Sequence, residues 1–478
     1  MQSVDLVIDQ GTIISPEASY VASIAIENGK IVAIGQHANM PRGNRIINAR
    51  GKMVLPGAID AHVHVGQPWE GTKRPTYYAE DVESATQAAA MAGTTTICDM
   101  PDSIPLVTSA TAFKRKIEFW SKRAYVDYAL HGGFVPNTNF EKLIPPLWRA
   151  GTTALKTFMC FSEDIWPAML DGELYDALQV IHKVNGFAIL HAENDHMLTQ
   201  NKKKLDMDHR VDFKSHLEWR PPIVEYEADR RAIFLLNHAK TRGLIVHTSV
   251  PEGVREVQTA RANGQEAYVE TCQHYLYLTD KDVERRGPWV KCSPPLRDKS
   301  RVLEIRHQLA RGEIDSVGSD HSPFDKDDVK KSEGNMWSAE AGMPELETGT
   351  PLMLNGASEG WISLNRVVAA TSENPARIYG LFPKKGKIML GSDADLIIVD
   401  MKRRWKVKDS ELKMKSGWSP YSGKVLRGTP ILTVVRGVVV MENREITGER
   451  GHGNFNARSN ENSLSAELNP TRLGSTVF

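Results

Sequence analysis

The sequence has little cysteine and no excess of charge of either sign. Its four cysteines are widely spaced along 478 residues, which fits neither a disulfide framework nor a zinc finger. Lysine plus arginine and aspartate plus glutamate each number 59, so the formal net charge is zero. Balanced charge gives no electrostatic basis for binding nucleic acid or an anionic membrane. We therefore expect a reducing compartment and a small-molecule substrate.

The sequence also lacks a long apolar segment. No uninterrupted apolar stretch reaches the ~18 residues that a membrane-spanning helix requires. The first residues carry no basic segment followed by an apolar run, which would be typical of a secretion signal. These absences predict a cytoplasmic protein that makes no membrane contact.

From residue 53 onward, the sequence alternates apolar, β-rich runs with helical patterns. Strand-like runs recur at residues 53–60, 94–100, 125–135, 152–159, 186–191, 243–248, 267–275 and 315–319. Helical patterns recur at residues 80–92, 110–122, 171–185, 225–242, 253–263 and 300–311. Such alternation is typical of a parallel sheet, and eight strands predict an α/β fold of the (β/α)8 TIM-barrel type.

The two flanks have a different pattern. Short strands with turn residues occupy positions 5–35, and a similar pattern recurs at 393–400 and 431–446. Because neither set would form a stable sheet alone, we predict that they combine into one small β-sandwich. The predicted units are the β-sandwich from residues 1–56 and 381–455, the barrel from 57–380, and a flexible or oligomer-contact tail from 456–478.

Six side chains of metal-binding type lie at the ends of the predicted barrel strands. They are His62, His64, Lys156, His191, His247 and Asp320. The first two histidines are two residues apart, so in a strand both imidazoles face the same side. The C-terminal ends of barrel strands form the catalytic face of a TIM barrel. The series therefore indicates a hydrolytic site with two metal ions.

Taken alone, each of these residues has a structural alternative. A single histidine in a strand is more often a satisfied core residue, and a single buried lysine is more often ion-paired. Their joint occurrence favours the metal site. His131, His274 and His321 also lie near strand ends, and we interpret them as hydrogen-bond partners of the ligands. The polar segment 201–222 is interpreted as a solvated loop.

Several motifs resemble those of the cyclic amidohydrolases. They lie at residues 57–64, 269–276, 291–297, 319–323 and 419–423. On these motifs the chain is identified as a member of the hydantoinase, dihydropyrimidinase and allantoinase group of the amidohydrolase superfamily, over residues 51–448. The resemblance implies a homo-oligomer, either a tetramer or a dimer, that acts on a small cyclic ureide or imide.

The resemblance also implies the metal chemistry. His191 and His247 would hold one divalent ion, and the two N-terminal histidines with Asp320 would hold the other. Lys156, converted by CO2 to a carbamate, would bridge both. Zinc is the implied metal, with manganese or cobalt as alternatives. A bridging hydroxide would open a hydantoin or allantoin type ring to the carbamoyl or ureido acid, with Asp320 as general base and acid.

The resemblance further implies the substrate contacts. Ser293 and the loop at Gly342 would hydrogen-bond the ring. Trp69 and Arg74 lie in a segment expected to overhang the first barrel strand. They are candidate determinants of the ring substituent, and a surface loop packed on the barrel rim is the equal alternative.

Two departures from the family pattern narrow the substrate. Gly66 stands where dihydroorotases have an arginine that grips a carboxylate, which argues against that activity. Phe161 stands where dihydropyrimidinases and D-selective hydantoinases have a tyrosine, and phenylalanine has no hydroxyl to stabilise an oxyanion. The absence of this tyrosine resembles the allantoinase and L-hydantoinase branch. Dihydropyrimidinase or another cyclic imide hydrolase is the alternative, and a non-catalytic assembly protein is disfavoured because every ligand position is filled.

Overall fold

The computed structural model describes residues 3–65, 78–161 and 166–459. Its strands are β1 (Val4–Ile14), β2 (Ser19–Glu27), β3 (Lys30–Gly35), β4 (Gly43–Asn48), β5 (Met53–Pro56), β6 (Ala58–Val63), β7 (Thr94–Asp99), β8 (Asp127–Leu130), β9 (Gly132–Gly133), β10 (Leu155–Phe158), β11 (Phe187–His191), β12 (Arg242–Ile245), β13 (Ala267–Cys272), β14 (Ser316–Gly318), β15 (Leu396–Lys406), β16 (Val425–Val435), β17 (Val438–Glu442) and β18 (Glu445–Ile446).

The α-helices surround the barrel or connect it to the sheet. They are α1 (Val82–Ala92), α2 (Ala110–Ser121), α3 (Phe140–Arg149), α4 (Asp171–Lys183), α5 (Asp195–Met207), α6 (Lys214–Trp219), α7 (Pro222–His238), α8 (Pro251–Ala262), α9 (Gln273–Tyr277), α10 (Asp280–Arg286), α11 (Lys299–Arg311), α12 (Lys326–Lys331), α13 (Gly349–Glu359), α14 (Leu364–Val368) and α15 (Asn374–Ile378). Among the described residues, none of these is long and apolar enough to cross a bilayer.

Strands β6 to β14 form the predicted barrel. Parallel pairing runs from β6 through β7 to β8, and from β9 through β14 in chain order. Only His131 separates β8 from β9, so the two are pieces of one interrupted strand. A parallel bridge between Val63 and His321 joins β6 to the segment after β14 and closes the ring. The predicted (β/α)8 fold is therefore confirmed.

Two predicted strands run into a neighbouring element in the structure. Residues 53–60 are divided at Gly57, because β5 pairs with β1 and β15 outside the barrel whereas β6 belongs to the barrel. A Cβ atom at Gly57 would lie 2.0 Å from Thr95 Oγ1, so the chain can pass between the two units here only with glycine. The strand predicted at 267–275 ends at Cys272, where α9 begins.

Both chain ends contribute to one β-rich sheet, as predicted. Its order is β18-β17-β16-β15-β5-β1-β2-β3, with β4 paired to β1. Buried side chains from both ends form one core, including Ile8 and Ile24 from the first strands and Ile398 and Val434 from the last. The sheet therefore depends on both halves for its hydrophobic stabilisation. Residues 460–478, most of the predicted tail, lie outside the described residues.

Local sequence signals set the helix ends. The Asp81 side chain accepts a hydrogen bond from Ser84 N at the start of α1, and the helix ends at Gly93 with φ +84°. Asp298 caps α11 in the same way, and Gly312 ends it with φ +85°. An aspartate cap satisfies free backbone N–H groups, and glycine adopts the left-handed conformation without steric cost.

The segment 201–222 is not a solvated loop, and that prediction is wrong. Most of it lies in α5 and α6, and His216 is fully buried with its Nε2 2.8 Å from Cys292 O. Leu198 and Leu205 pack inward at helical spacing. The lysine run at 202–204 hid this sparse apolar pattern from the sequence-based interpretation.

A buried charge cluster joins the barrel to the sheet. The Lys385 ammonium contacts three carboxylates, those of Asp127 on β8, Asp393 at 2.9 Å and Asp395 at 2.6 Å. Arg436 Nε lies 3.1 Å from Asp127 Oδ1. Burial opposes the charge on Lys385, but the three carboxylates raise its pKa. Two cations among three aspartates fix the relative position of the two units.

Candidate metal centre

The ends of the barrel strands bring the six predicted ligands into one cavity of about 460 Å³. Lys156 lies within β10 and His191 ends β11, whereas His247 and Asp320 each lie two residues beyond a strand, after β12 and β14. The backbone has φ +38° at His247 and φ +50° at Asp320. Left-handed backbone at residues other than glycine costs energy and persists where the surroundings enforce it, commonly at functional sites.

Asp320 lies between the first two histidines. Its Oδ1 is 3.2 Å from Nε2 of His62 and 3.2 Å from Nε2 of His64. The ligand-type atoms of the three residues all lie within 4.8 Å of one another. Two imidazoles and a carboxylate converging in a buried cavity could hold a divalent metal ion.

The other three predicted ligands lie beside this group. The ring centroids of His191 and His247 are 4.5 Å apart, and those of His62 and His247 are 5.3 Å apart. Lys156 is 1% exposed, and among the described residues its Nζ has no hydrogen-bond partner. Nδ1 of His247 likewise has no hydrogen-bond partner among the described residues. Buried polar atoms without partners are costly, so these residues fit a site whose bound group supplies the missing contacts.

Carboxylates orient the first two imidazoles. Glu270 Oε1 lies 2.7 Å from Nδ1 of His62, and Asp102 Oδ2 lies 2.7 Å from Nδ1 of His64. A carboxylate that accepts a hydrogen bond from Nδ1–H leaves Nε2 as the nitrogen that can bind a metal ion. Both Nε2 atoms face Asp320 Oδ1 at 3.2 Å. Burial opposes the charge on His64, but Asp102 and Asp320 raise its pKa to about 10, so this imidazole would release a proton when a metal ion binds.

His191 is oriented through its other nitrogen. Its Nε2 lies 2.9 Å from Glu193 Oε2, which also accepts a hydrogen bond from the Arg220 guanidinium. Although burial opposes the charge on Glu193, Arg220 and His191 lower its pKa. Nδ1 of His191 is therefore the nitrogen whose lone pair could bind a metal ion.

The predicted hydrogen-bond partners of the ligands are wrong. His131 Nε2 lies 3.0 Å from Ala61 O, His274 Nδ1 lies 3.1 Å from Glu345 Oε1, and His321 Nδ1 accepts a hydrogen bond from Glu345 N. These side chains bond Ala61, Thr153 and Glu345 rather than a predicted ligand. The sequence-based interpretation did not identify the side chains that bond the predicted ligands, which are Asp102, Glu193 and Glu270. Tyr78 and Arg220 in turn bond Asp102 and Glu193.

Burial sets the protonation of the site. It lowers the pKa of His62, His191 and His247, so these imidazoles are neutral near pH 7. Burial also lowers the pKa of Lys156 to about 8, although nearby carboxylates oppose this shift. Burial opposes the charge on Asp320, yet the surrounding histidines hold its pKa well below the usual range. Three neutral imidazoles, a carboxylate and a readily neutralised amine suit a divalent cation.

The predicted substrate contacts are placed unequally. Ser293 lines the cavity, and Phe161 lines it with its side chain 52% exposed. Residues 339–341 line the cavity, and Gly342 follows them directly. The Gly342 N–H donates to Lys291 O at 2.9 Å. Trp69 and Arg74 lie outside the described residues.

Comparison with known proteins is consistent with this arrangement. The sequence profile of the amidohydrolase family matches residues 53–440, most of the chain. The chain belongs to the amidohydrolase family. The protein is therefore a hydrolase of amide carbon–nitrogen bonds.

Named relatives of this amidohydrolase match along nearly its whole length. It is 34% identical over 458 residues to L-hydantoinase of Paenarthrobacter aurescens, covering 95% of this chain and 98% of that protein. It is 34% identical over 462 residues to allantoinase of Rubrobacter xylanophilus, covering 94% and 97%. The solved structure of L-hydantoinase (dihydropyrimidinase) from Arthrobacter aurescens superposes with a TM-score of 0.91 at 34% identity, covering 95% of this chain and 100% of that chain. These matches confirm the predicted membership of the hydantoinase, dihydropyrimidinase and allantoinase group.

Proposed function

We propose that the protein hydrolyses the ring of a hydantoin or allantoin type ureide to the open-chain carbamoyl or ureido acid. The observation that carries this proposal is the convergence of His62 and His64 on Asp320 Oδ1, each at 3.2 Å, beside the unpartnered amine of Lys156. An amidohydrolase needs an activated water and a proton carrier at one point. This cluster provides residues for both.

The same residues would hold two divalent metal ions. His62, His64 and Asp320 would bind one, His191 and His247 the other, and Lys156 would contact both as a carbamate. When bound, such ions polarise the amide carbonyl and lower the pKa of a shared water toward ~7. The hard and borderline donor set favours zinc, and manganese or cobalt would also fit.

Formation of the carbamate follows from the state of Lys156. Its neutral amine nitrogen would attack the carbon of CO2, forming a nitrogen–carbon bond and releasing one proton to solvent. The product carries a negative charge and two oxygen atoms in place of an ammonium that would repel cations. Burial supports this step because it lowers the pKa of Lys156 to about 8.

Asp320 would carry the proton during ring opening. As a carboxylate it accepts the proton of the attacking water, and as an acid it delivers that proton to the ring nitrogen that leaves. Its pKa, held low by the surrounding histidines, keeps it ready to accept. Ser293, on the cavity wall, would hydrogen-bond the ring and align the scissile bond.

Substrate turnover measured together with metal content tests this function. The substrates are allantoin, hydantoin, both enantiomers of a 5-aryl hydantoin, dihydrouracil and dihydroorotate. We expect about two metal ions per chain and ring opening of at least one ureide. Removal of metal by a chelator should abolish turnover, and zinc should restore it. A protein that stays metal-free and inactive after supply of zinc and bicarbonate would instead be a non-catalytic assembly protein.

The carbamate makes a separate prediction about pH. Because burial lowers the pKa of Lys156 from 10.5 to about 8, the reactive neutral amine increases as pH rises through 8. At a fixed concentration of dissolved CO2, zinc is added to the metal-free protein and the rate of reactivation is measured. This rate should be at least about tenfold higher at pH 8.5 than at pH 6.5. Lys156→Ala should not reactivate at either pH. Equal rates for the unaltered protein at both values would contradict the carbamate.

A further inference from the structure

One wall of the cavity is built from segments that hold no predicted metal ligand. Helix α6 contributes Trp219 and the short turn Met336–Ser338 contributes Trp337, and both side chains line the cavity. Their ring centroids are 5.2 Å apart with the planes inclined by 57°. Leu198 of α5, 4% exposed, lines the same cavity. The wall is therefore mainly apolar and aromatic.

Both indole rings are fixed by hydrogen bonds to the backbone. Nε1 of Trp219 donates to Leu198 O at 3.0 Å, and Nε1 of Trp337 donates to Arg210 O at 2.7 Å. An indole has a single hydrogen-bond donor, so neither ring has one left for a ligand. What the two rings offer to the cavity is flat, rigid apolar surface.

A chain of contacts connects this wall to the metal centre. The Arg220 guanidinium carbon lies 4.2 Å from the ring centroid of Trp219. The same guanidinium donates a hydrogen bond to Glu193, which orients His191. The wall thus begins beside a predicted ligand and extends outward to Trp337. A substrate whose ring lies at the metal centre would therefore share one cavity with this wall.

Two charged side chains that line the cavity near the wall already have partners. Lys202 Nζ lies 4.3 Å from the Trp337 ring centroid and 2.8 Å from Asp206 Oδ2. Asp195 Oδ1 accepts a hydrogen bond from Phe161 N at 2.9 Å. Against the two indole rings, a polar arm such as the ureido group of allantoin would lose water and gain no hydrogen bond, because both indole N–H groups are already used.

We propose that Trp219 and Trp337 form the subsite for the exocyclic substituent and select a flat aromatic one. This inference rests on the proposed function, and it chooses a 5-arylmethyl hydantoin over allantoin as the better substrate. An aromatic substituent gains from ring–ring contact as well as from loss of water-exposed apolar surface.

The test measures the ratio of kcat/KM for 5-benzylhydantoin to kcat/KM for unsubstituted hydantoin. Hydantoin has no substituent that could contact the wall. In Trp337→Leu the ratio should fall about tenfold or more, whereas turnover of hydantoin stays within about twofold. Trp337→Phe, which keeps a ring, should recover most of the ratio. Trp219→Phe, which also keeps a ring but removes the larger indole, should lower it less than Trp337→Leu.

Trp289→Leu is the matched control. Trp289 packs against Trp418 at 5.2 Å and donates to Glu333, and it does not line the cavity. Its loss should leave the ratio unchanged. An unchanged ratio in folded Trp337→Leu, or preference of the unaltered protein for allantoin, would overturn the subsite while leaving the hydrolase function intact. Absence of any ring opening by the unaltered protein would overturn both.

Discussion

Replacement of Asp320 by asparagine is expected to lower kcat by about 10⁴-fold, at the upper end of the range for general acid–base groups. An amide cannot accept the proton of water or deliver it to the leaving nitrogen. The side chain also lies between two imidazoles, with its Oδ1 3.2 Å from Nε2 of both His62 and His64. Single-turnover and steady-state rates with the preferred hydantoin measure this loss.

Metal content separates the two roles of Asp320. Asparagine keeps a carbonyl oxygen in place of Oδ1, so we expect metal content to fall by a smaller factor than kcat. Asp327→Asn, on the exposed start of α12, is the matched control and should retain full activity. If Asp320→Asn kept more than a tenth of wild-type kcat with both metals bound, another group would have to carry the proton.

Lys385→Met is expected to lower the free energy of unfolding by about 3–5 kcal/mol. The substitution leaves Asp127, Asp393 and Asp395 buried together without the ammonium that contacts all three. Uncompensated carboxylates repel one another, and Arg436 alone cannot neutralise them. Urea denaturation followed by far-UV circular dichroism measures the change.

The neighbouring lysine provides a control for this prediction. Lys384 has a side chain that is 50% exposed and lies 4.0 Å from Asp393. Because water screens such a pair, Lys384→Met should cost less than about 1 kcal/mol. Equal destabilisation by the two variants would mean that the buried cluster contributes no more than a surface contact.

Residue periodicity was sufficient to predict the barrel and the strand ends at which the candidate ligands lie. The barrel strands are buried on both faces, and their apolar runs, such as Phe187–His191, are visible without knowledge of the fold. A strand has a defined direction, so polar residues at its C-terminal end can be assigned to one face of the barrel. The positions of His191 and Asp320 follow from this rule.

The contacts around the ligands could not be predicted in the same way. Glu270 and Asp102 meet His62 and His64 across 208 and 38 residues of sequence, so no local pattern links the partners. Glu193 lies only two residues after His191, and this spacing was the one available signal. Which of several nearby polar groups turns toward a ligand depends on packing of the complete barrel, and the same applies to the aromatic wall.

The position of β5 has a consequence for synthesis of the chain. This strand pairs with β1 on one side and with β15 on the other. Roughly 340 residues separate β5 from β15, which a ribosome takes about 17–70 s to add. For that interval one edge of the nascent sheet stays open and can pair with another chain, so the N-terminal strands require protection until the far end arrives.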